Sequence, residues 1–217
     1  APTLNELKDK VPSARNAQSR IVSKEDLLAR VYTMPSNFGR VFRAGVRSNS
    51  LNPLATQLFI ISRNTDGQLI TSPDTLKKNL STYLNQYRMI NDAIDILDAQ
   101  VVNIGVEFQI ATDPSANKNL VIQDIIVKLK NYFDIKHWSI DQAILISDVN
   151  NIIYNNEGVV SVLGLKFVNL QGVVDEKEYS DIKYNISTGT KKGLVIPPPG
   201  GIFAIKYSDI DIVGSAI

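Results

Sequence analysis

Hydrophobic positions along this chain change period several times, and the changes mark out its elements. Leu27, Leu28, Val31 and Tyr32 follow Ser23-Lys-Glu-Asp26 at helical spacing, and a serine with an acid three residues on forms a capping box. Met34-Pro35 ends that helix, because the residue before a proline is pushed out of helical geometry. A weaker helical pattern runs from Thr3 to Ala17, interrupted by Pro12. Asn37-Phe-Gly-Arg40 reads as a turn. Val41, Phe42, Ala44 and Val46 then read as a strand, with Arg43 and Arg47 on one face and Gly45 marking a bulge. Leu58-Phe-Ile-Ile61 is continuously apolar, the mark of a strand covered on both faces, and Asn64-Thr-Asp-Gly67 supplies a turn after it.

Ser72-Pro-Asp-Thr75 predicts a helix start with serine as N-cap and proline at the first helical position, followed by an apolar stripe of Leu76, Leu80, Tyr83, Leu84 and Tyr87. Val101–Ala111 alternates as a strand, with Ile104, Val106, Phe108 and Ile110 against Asn103, Glu107 and Gln109. Thr112-Asp-Pro-Ser115 turns the chain into a helix bearing Leu120, Ile122, Ile125, Ile126, Leu129 and Phe133. Asp148 is placed as the cap of a brief helix through Tyr154, Asn155–Gly158 as a turn, and Val159–Leu170 as a long strand. Beyond Gln171 the chain becomes polar and turn-rich, then apolar again around Pro197-Pro-Pro-Gly-Gly201. The pattern predicts an α+β fold with helices on one face of a mainly antiparallel sheet: an N-terminal helical segment (1–20), an α+β domain (21–170) and a β-rich C-terminal arm (171–217).

Composition narrows the chemistry. Hydrophobic residues make up 44% and charged residues 21%, ordinary for a globular chain, and no apolar run approaches a membrane span, so no membrane partner is expected. Zero cysteines exclude disulfides, thiolate metal sites and cysteine nucleophiles. The net charge of +1 gives no reason to expect nucleic acid. Its distribution is uneven: residues 1–63 hold ten basic and four acidic residues, residues 101–217 ten basic and thirteen acidic, and all eight arginines lie at or before Arg88. Such polarity suits head-to-tail attraction between copies, or contact with a neighbour of opposite sign. The first residue is Ala, and the chain is expected to be a piece of a longer protein.

Candidate reactive groups are sparse. His137, the one histidine, has Ser139 and Asp134 nearby, but no nucleophile elbow occurs, and it reads as a helix-end residue beside Trp138. Asp92, Asp95 and Asp98 would share a helix face, yet they lack the oxygen-ligand pattern of a cation loop and read as a solvated face or a turn. Thr188-Gly-Thr-Lys-Lys-Gly193 lacks phosphate-loop spacing and reads as a surface loop. Arg40, Arg43 and Arg47 around Phe42 read as a solvated face or a protein contact. No catalytic, cofactor or metal residue is assigned, and no enzyme is expected.

Three blocks carry a resemblance. Gln18-Ser-Arg-Ile-Val-Ser-Lys-Glu-Asp-Leu27 is similar to an Arg-Xaa-Val-Thr-Xaa-Xaa-Asp-Tyr block, with Leu27 where an aromatic is common. Trp138–Ile152 followed by Gly158-Val-Val-Ser-Val162 is similar to an apolar segment and helix before a Gly-Val-Xaa-Xaa-Val strand. The arm from Gly193 to Gly214, with its triple proline, Phe203-Ala-Ile-Lys-Tyr207 and Asp-Ile run, is similar to the end of one phage subgroup. In these blocks the chain resembles the C-terminal part of a baseplate wedge protein of T-even-type phages and their cyanophage relatives, within the baseplate J-like family. The resemblance implies a structural subunit of a contractile tail, assembled in the host cytoplasm into the virion baseplate. Wedge subunits would associate there into a ring around the tail hub, and this region would form a homodimer. The competing reading is an adaptor that binds another tail protein or a host glycan. Expected interface residues are Arg43, Arg47, Ile202, Phe203, Ile205, Tyr207, Ile210 and Ile212, with the arm offering strand pairing and apolar anchors.

Overall fold

A computed structural model of the chain describes residues 8, 20–49, 52, 55–89 and 92–217. The helix expected over Thr3–Ala17, and the 1–20 segment apart from Lys8 and Arg20, lie outside the described residues. The chain forms two units, Ala1–Ala99 and Gln100–Ile217.

In the first unit, helix α1 (Lys24–Thr33) starts at the expected capping box: the Ser23 hydroxyl accepts from the Asp26 N–H at 3.1 Å, and the Asp26 carboxylate accepts from the Ser23 N–H at 3.0 Å. Strand β1 (Arg43–Ser48) pairs antiparallel with β2 (Ala55–Arg63). The register runs unbroken through Gly45 opposite Phe59, so the glycine marks no bulge. The Asn64–Gly67 turn leads to the short β3 (Leu69–Ile70), with Gly67 at φ +88°.

Helix α2 spans Asp74–Leu84, and its start corrects the sequence reading: Pro73 is the N-cap and no side chain caps it. The Ser72 hydroxyl instead lies 2.9 Å from that of Ser62, both residues being buried. A buried hydroxyl takes whichever partner its surroundings offer, and here that is the neighbouring strand. Ser72→Ala and Ser62→Ala are each expected to cost about 1–2 kcal/mol, and the double variant less than their sum; urea denaturation of the three variants checks this.

Strand β4 (Ala93–Asp98) pairs parallel with β2, where the sequence reading placed a turn or solvated face. Asp92 precedes the strand, and its alternation separates the other two aspartates: Asp95 is exposed, while Asp98 faces α2 and accepts from Lys77 at 2.7 Å. Leu27 and Val31 of α1, Leu76, Leu80 and Leu84 of α2, and Leu58 and Ile60 of β2 form the core of this unit.

The second unit is organised by β5 (Gln100–Thr112). Val102, Ile104, Val106, Phe108 and Ile110 are buried on one face as expected, but Asn103, expected among the opposing polar positions, is buried too, so exposure alternates only from Val106 onward. After a turn, α3 (Lys118–Tyr132) is capped by Asn117 and buries Val121, Ile125 and Leu129; Leu120, expected in the stripe, is exposed. Four-residue steps from Val121 define the buried line, and Leu120 falls one position off it. A short turn over Ile135–His137 precedes β6 (Ile144–Leu145) and α4 (Ile146–Tyr154). Leu145 occupies the N-cap of α4 and Asp148 lies in its first turn, so Asp148 is not the cap. Strand β7 (Val159–Asn169) pairs antiparallel with β5.

The region after Gln171 holds β8 (Val173–Val174), β9 (Lys177–Glu178), a helical turn α5 (Ile186–Gly189), β10 (Thr190–Lys191), β11 (Leu194–Val195), β12 (Gly201–Ala204) and β13 (Ile212–Ala216). The segment 187–193 is therefore a helical turn leading into the β10–β11 hairpin. Both β12 and β13 pair parallel with β5. The N–H groups of Gln100, Val106 and Thr112 donate to the carbonyls of Gly200, Asp211 and Ile217. These donors are even numbers of residues apart, so β12 and β13 lie end to end along one edge of β5. β7 takes the other edge. Residues 171–217 thus belong to the same unit as β5, and the division between units falls at Ala99–Gln100 instead of near residue 171. The fold is α+β, with 29% helix, 34% strand and mostly antiparallel pairing.

Candidate assembly surface

The eight residues expected at an interface occupy very different environments. Ile202, Phe203 and Ile212 are buried within their own unit at 0%, 2% and 3% exposure, where the arm completes the β5 sheet. They are core residues of the chain itself. Ile205 and Tyr207 are half-buried, and Ile210 is 48% exposed. Arg43 and Arg47 sit on β1 opposite Ile61 and Gln57, on one strand face as their spacing requires.

Around Phe42 the first unit builds a preorganised cationic site. The Arg43 guanidinium lies 4.7 Å from the Phe42 ring centroid and that of Arg63 lies 5.5 Å from it. Arg43 Nη1 donates to the Phe42 carbonyl at 3.2 Å, and Arg63 Nε to the Gly67 carbonyl at 2.8 Å. A Cβ on Gly67 would stand 2.5 Å from Arg63 Nη2, so the glycine serves both its positive φ and the approach of the guanidinium. Sequence spacing found Arg43 but missed Arg63, which reaches Phe42 from the neighbouring strand.

The excursion between β12 and β13 is fixed by polar contacts. Asp211, 5% exposed, accepts from the Tyr179 hydroxyl at 2.6 Å and the Tyr207 N–H at 2.8 Å. Burial pushes the Asp211 carboxyl above its ordinary value despite these hydrogen bonds, and burial with the nearby carboxylate holds the Tyr179 phenol well above the usual range. Tyr179 packs edge-on against Tyr207 at 5.4 Å. Asn103, also buried, accepts from the Ser180 N–H at 2.7 Å, while its carbonyl accepts from the Asn169 amide at 3.0 Å. These perturbed groups hold one another through the Tyr179–Asp211 hydrogen bond and the edge-on Tyr179–Tyr207 contact.

His137 ends its short turn exposed, next to the buried Trp138, whose ring stacks on Phe133 at 5.6 Å. Among the described residues no three of His, Asp and Glu gather as metal ligands. An open depression of about 370 Å³ between α3 and α4 is lined by Lys128, Asn131, Asn151, Ile152 and Asn155, without an acid.

Two further surface features escaped the sequence reading. Register shifts in the β5–β7 pairing leave Val160 and Leu163 unpaired with β5, and these are 57% and 53% exposed. The adjacent apolar pairs Val159-Val160 and Val162-Leu163, which break strict alternation, were the available signal. The β8–β9 hairpin turns through Asp175 and Glu176 at φ +47° and +61°, and its Val173 is 70% exposed.

No protein-family model matches the chain, and no curated protein matches it. The fold is similar to that of a chain in the cryo-EM structure of the anti-feeding prophage baseplate, 6-fold symmetrised, with a TM-score of 0.56 at 8% identity. The likeness covers 77% of this chain and 38% of that one, so the chain spans well under half the length of its structural neighbour.

Proposed function

We propose that this chain is a structural, non-enzymatic part of a contractile-tail baseplate, associating with neighbouring wedge subunits into a ring around the tail hub. The observation that carries the reading is the shared fold with an anti-feeding prophage baseplate chain over 77% of the length. The sequence blocks at Trp138–Val162 and Gly193–Gly214 support the wedge family of T-even-type phages and their cyanophage relatives as the narrower assignment. Perturbed groups such as Tyr179 and Asp211 are engaged with one another, which supports a role in architecture. On this reading the chain resides in the tail of the virion and contacts other baseplate subunits and a second copy of itself.

Static light scattering of the purified chain over a concentration series tests the proposal. The weight-average mass is expected to rise with concentration. A chain that stays monomeric throughout and binds immobilised glycans would replace the assembly reading with the adaptor reading.

A further inference from the structure

We propose that β7 is a self-association edge, pairing antiparallel with β7 of a second copy of this chain about Leu165. The inference rests on the assembly reading and names a contact within it.

β7 has a partner on one side only: among the described residues it pairs with no strand but β5. The bonds at its end fix which backbone groups point away from β5. The Leu170 N–H donates to the Asn103 carbonyl, so Val168, Lys166 and Gly164 also turn their N–H and C=O groups towards β5. Phe167 and Leu165 turn theirs outwards. The far side of β5 agrees, since Val106, opposite Phe167, sends its N–H to the Asp211 carbonyl. Pairing with β5 is regular from Gly164 to Asn169. Leu163, left over by the register shift, ends this outward row, and both it and Val160 are more than half exposed. Outward backbone groups beside exposed apolar side chains form a template for another strand.

The residues along the edge match a second copy of themselves. Lys166 carries the sole charge in Val159–Asn169, and no proline interrupts the run. Pairing about Leu165 sets that leucine against its own copy and Leu163 against Phe167, apolar against apolar. Lys166 then meets Gly164, which has no side chain to crowd it, and the two lysines do not oppose each other. The Lys166 ammonium stays 72% exposed, 3.7 Å from Glu107 of its own chain. In this register the Leu165 N–H of each copy donates to the Leu165 carbonyl of the other. Because one segment meets itself, the contact requires a second copy, and its two-fold symmetry closes a dimer.

Cross-linking of the full chain tests this. The chain has no cysteine, so an introduced thiol is the only one present. Gly164→Cys and Lys166→Cys alter exposed positions, and a Cβ on Gly164 meets only the Gln109 Cβ at 4.0 Å, so thermal midpoints near wild type are expected. Gly164 and Lys166 of the copy form a non-hydrogen-bonded pair with Cα atoms about 4.5 Å apart, within disulfide reach. Either variant alone leaves its thiols on a diagonal of about 7–8 Å, at the limit of that reach. An equimolar mixture under mild oxidation should therefore form covalent dimers roughly tenfold faster than either component. Leu163→Lys, which sets a charge against Phe167, should weaken association roughly tenfold in light scattering without moving the thermal midpoint. If wild type associates and the mixture of folded variants cross-links no faster than its components, or Leu163→Lys associates as well as wild type, this contact is overturned and the assembly reading stands. Should a cysteine variant melt early, Leu163→Lys alone decides. If wild type is monomeric throughout, both fall.

Discussion

Phe203→Ala is expected to destabilise the chain by about 3–5 kcal/mol, read as a large fall in the urea midpoint. Phe203 lies opposite Val102 in the parallel β12–β5 pairing, and both side chains are buried. Its ring meets that of Tyr184 edge-on at 6.0 Å. Truncation leaves a cavity beside the sheet's first partner strand, and close packing limits how far the surroundings can collapse into it. Ile210→Ala, at an exposed position of the same arm, should change stability by no more than about 0.5 kcal/mol. This contrast separates two roles for the arm. An anchor reserved for another subunit would lower association on truncation while leaving stability intact. If Phe203→Ala melts like wild type, the arm does not belong to the core of its own unit.

Asp211→Ala is expected to cost about 2–4 kcal/mol, because it leaves the Tyr179 hydroxyl and the Tyr207 N–H without their acceptor in a buried place. Asp211→Asn should be milder, about 1 kcal/mol, since the carboxamide accepts from the N–H and donates to the phenolic oxygen. The pair also differs in pH dependence. Burial raises the Asp211 carboxyl above its ordinary 3.8, so between that value and the raised one the folded chain holds a proton that the unfolded chain has released. This residue's contribution to stability is therefore greatest below that window and declines as pH rises through it. Comparing urea midpoints of wild type and Asp211→Asn across acid pH should show wild type losing ground with rising pH. The opposite slope would mean that the hydrogen bonds outweigh desolvation and keep the carboxylate ionised.

Elements with strong local signals were legible in the sequence. The Ser23 capping box, the Asn64–Gly67 turn and the β5 alternation each depend on neighbours within a few residues, and each appears where expected. Features decided by distant partners were not. Ser72 has the local marks of an N-cap, but a buried hydroxyl on Ser62 claims its side chain. β4 was obscured because aspartates are poor strand formers, although Ile94 and Ile96 alternate around Asp95. The arm was recognised as strand-forming, yet whether it would pair with its own chain or another depended on the edge of β5, about a hundred residues upstream in sequence. The cationic cluster around Phe42 was half visible: Arg43 and Phe42 are neighbours, whereas Arg63 joins them only through strand pairing.

The two strands laid end to end along β5 also set a timetable for synthesis. Every strand described in the first unit has been translated once Asp98 is added, and that sheet is free to form early. β5, emerging directly afterwards, must wait until residues 201–216 are translated before one whole flank of its backbone finds the native partner. For that interval a long apolar strand stands open to mispairing. A nascent chain stalled before residue 200 should accordingly be a stronger chaperone client than the finished protein.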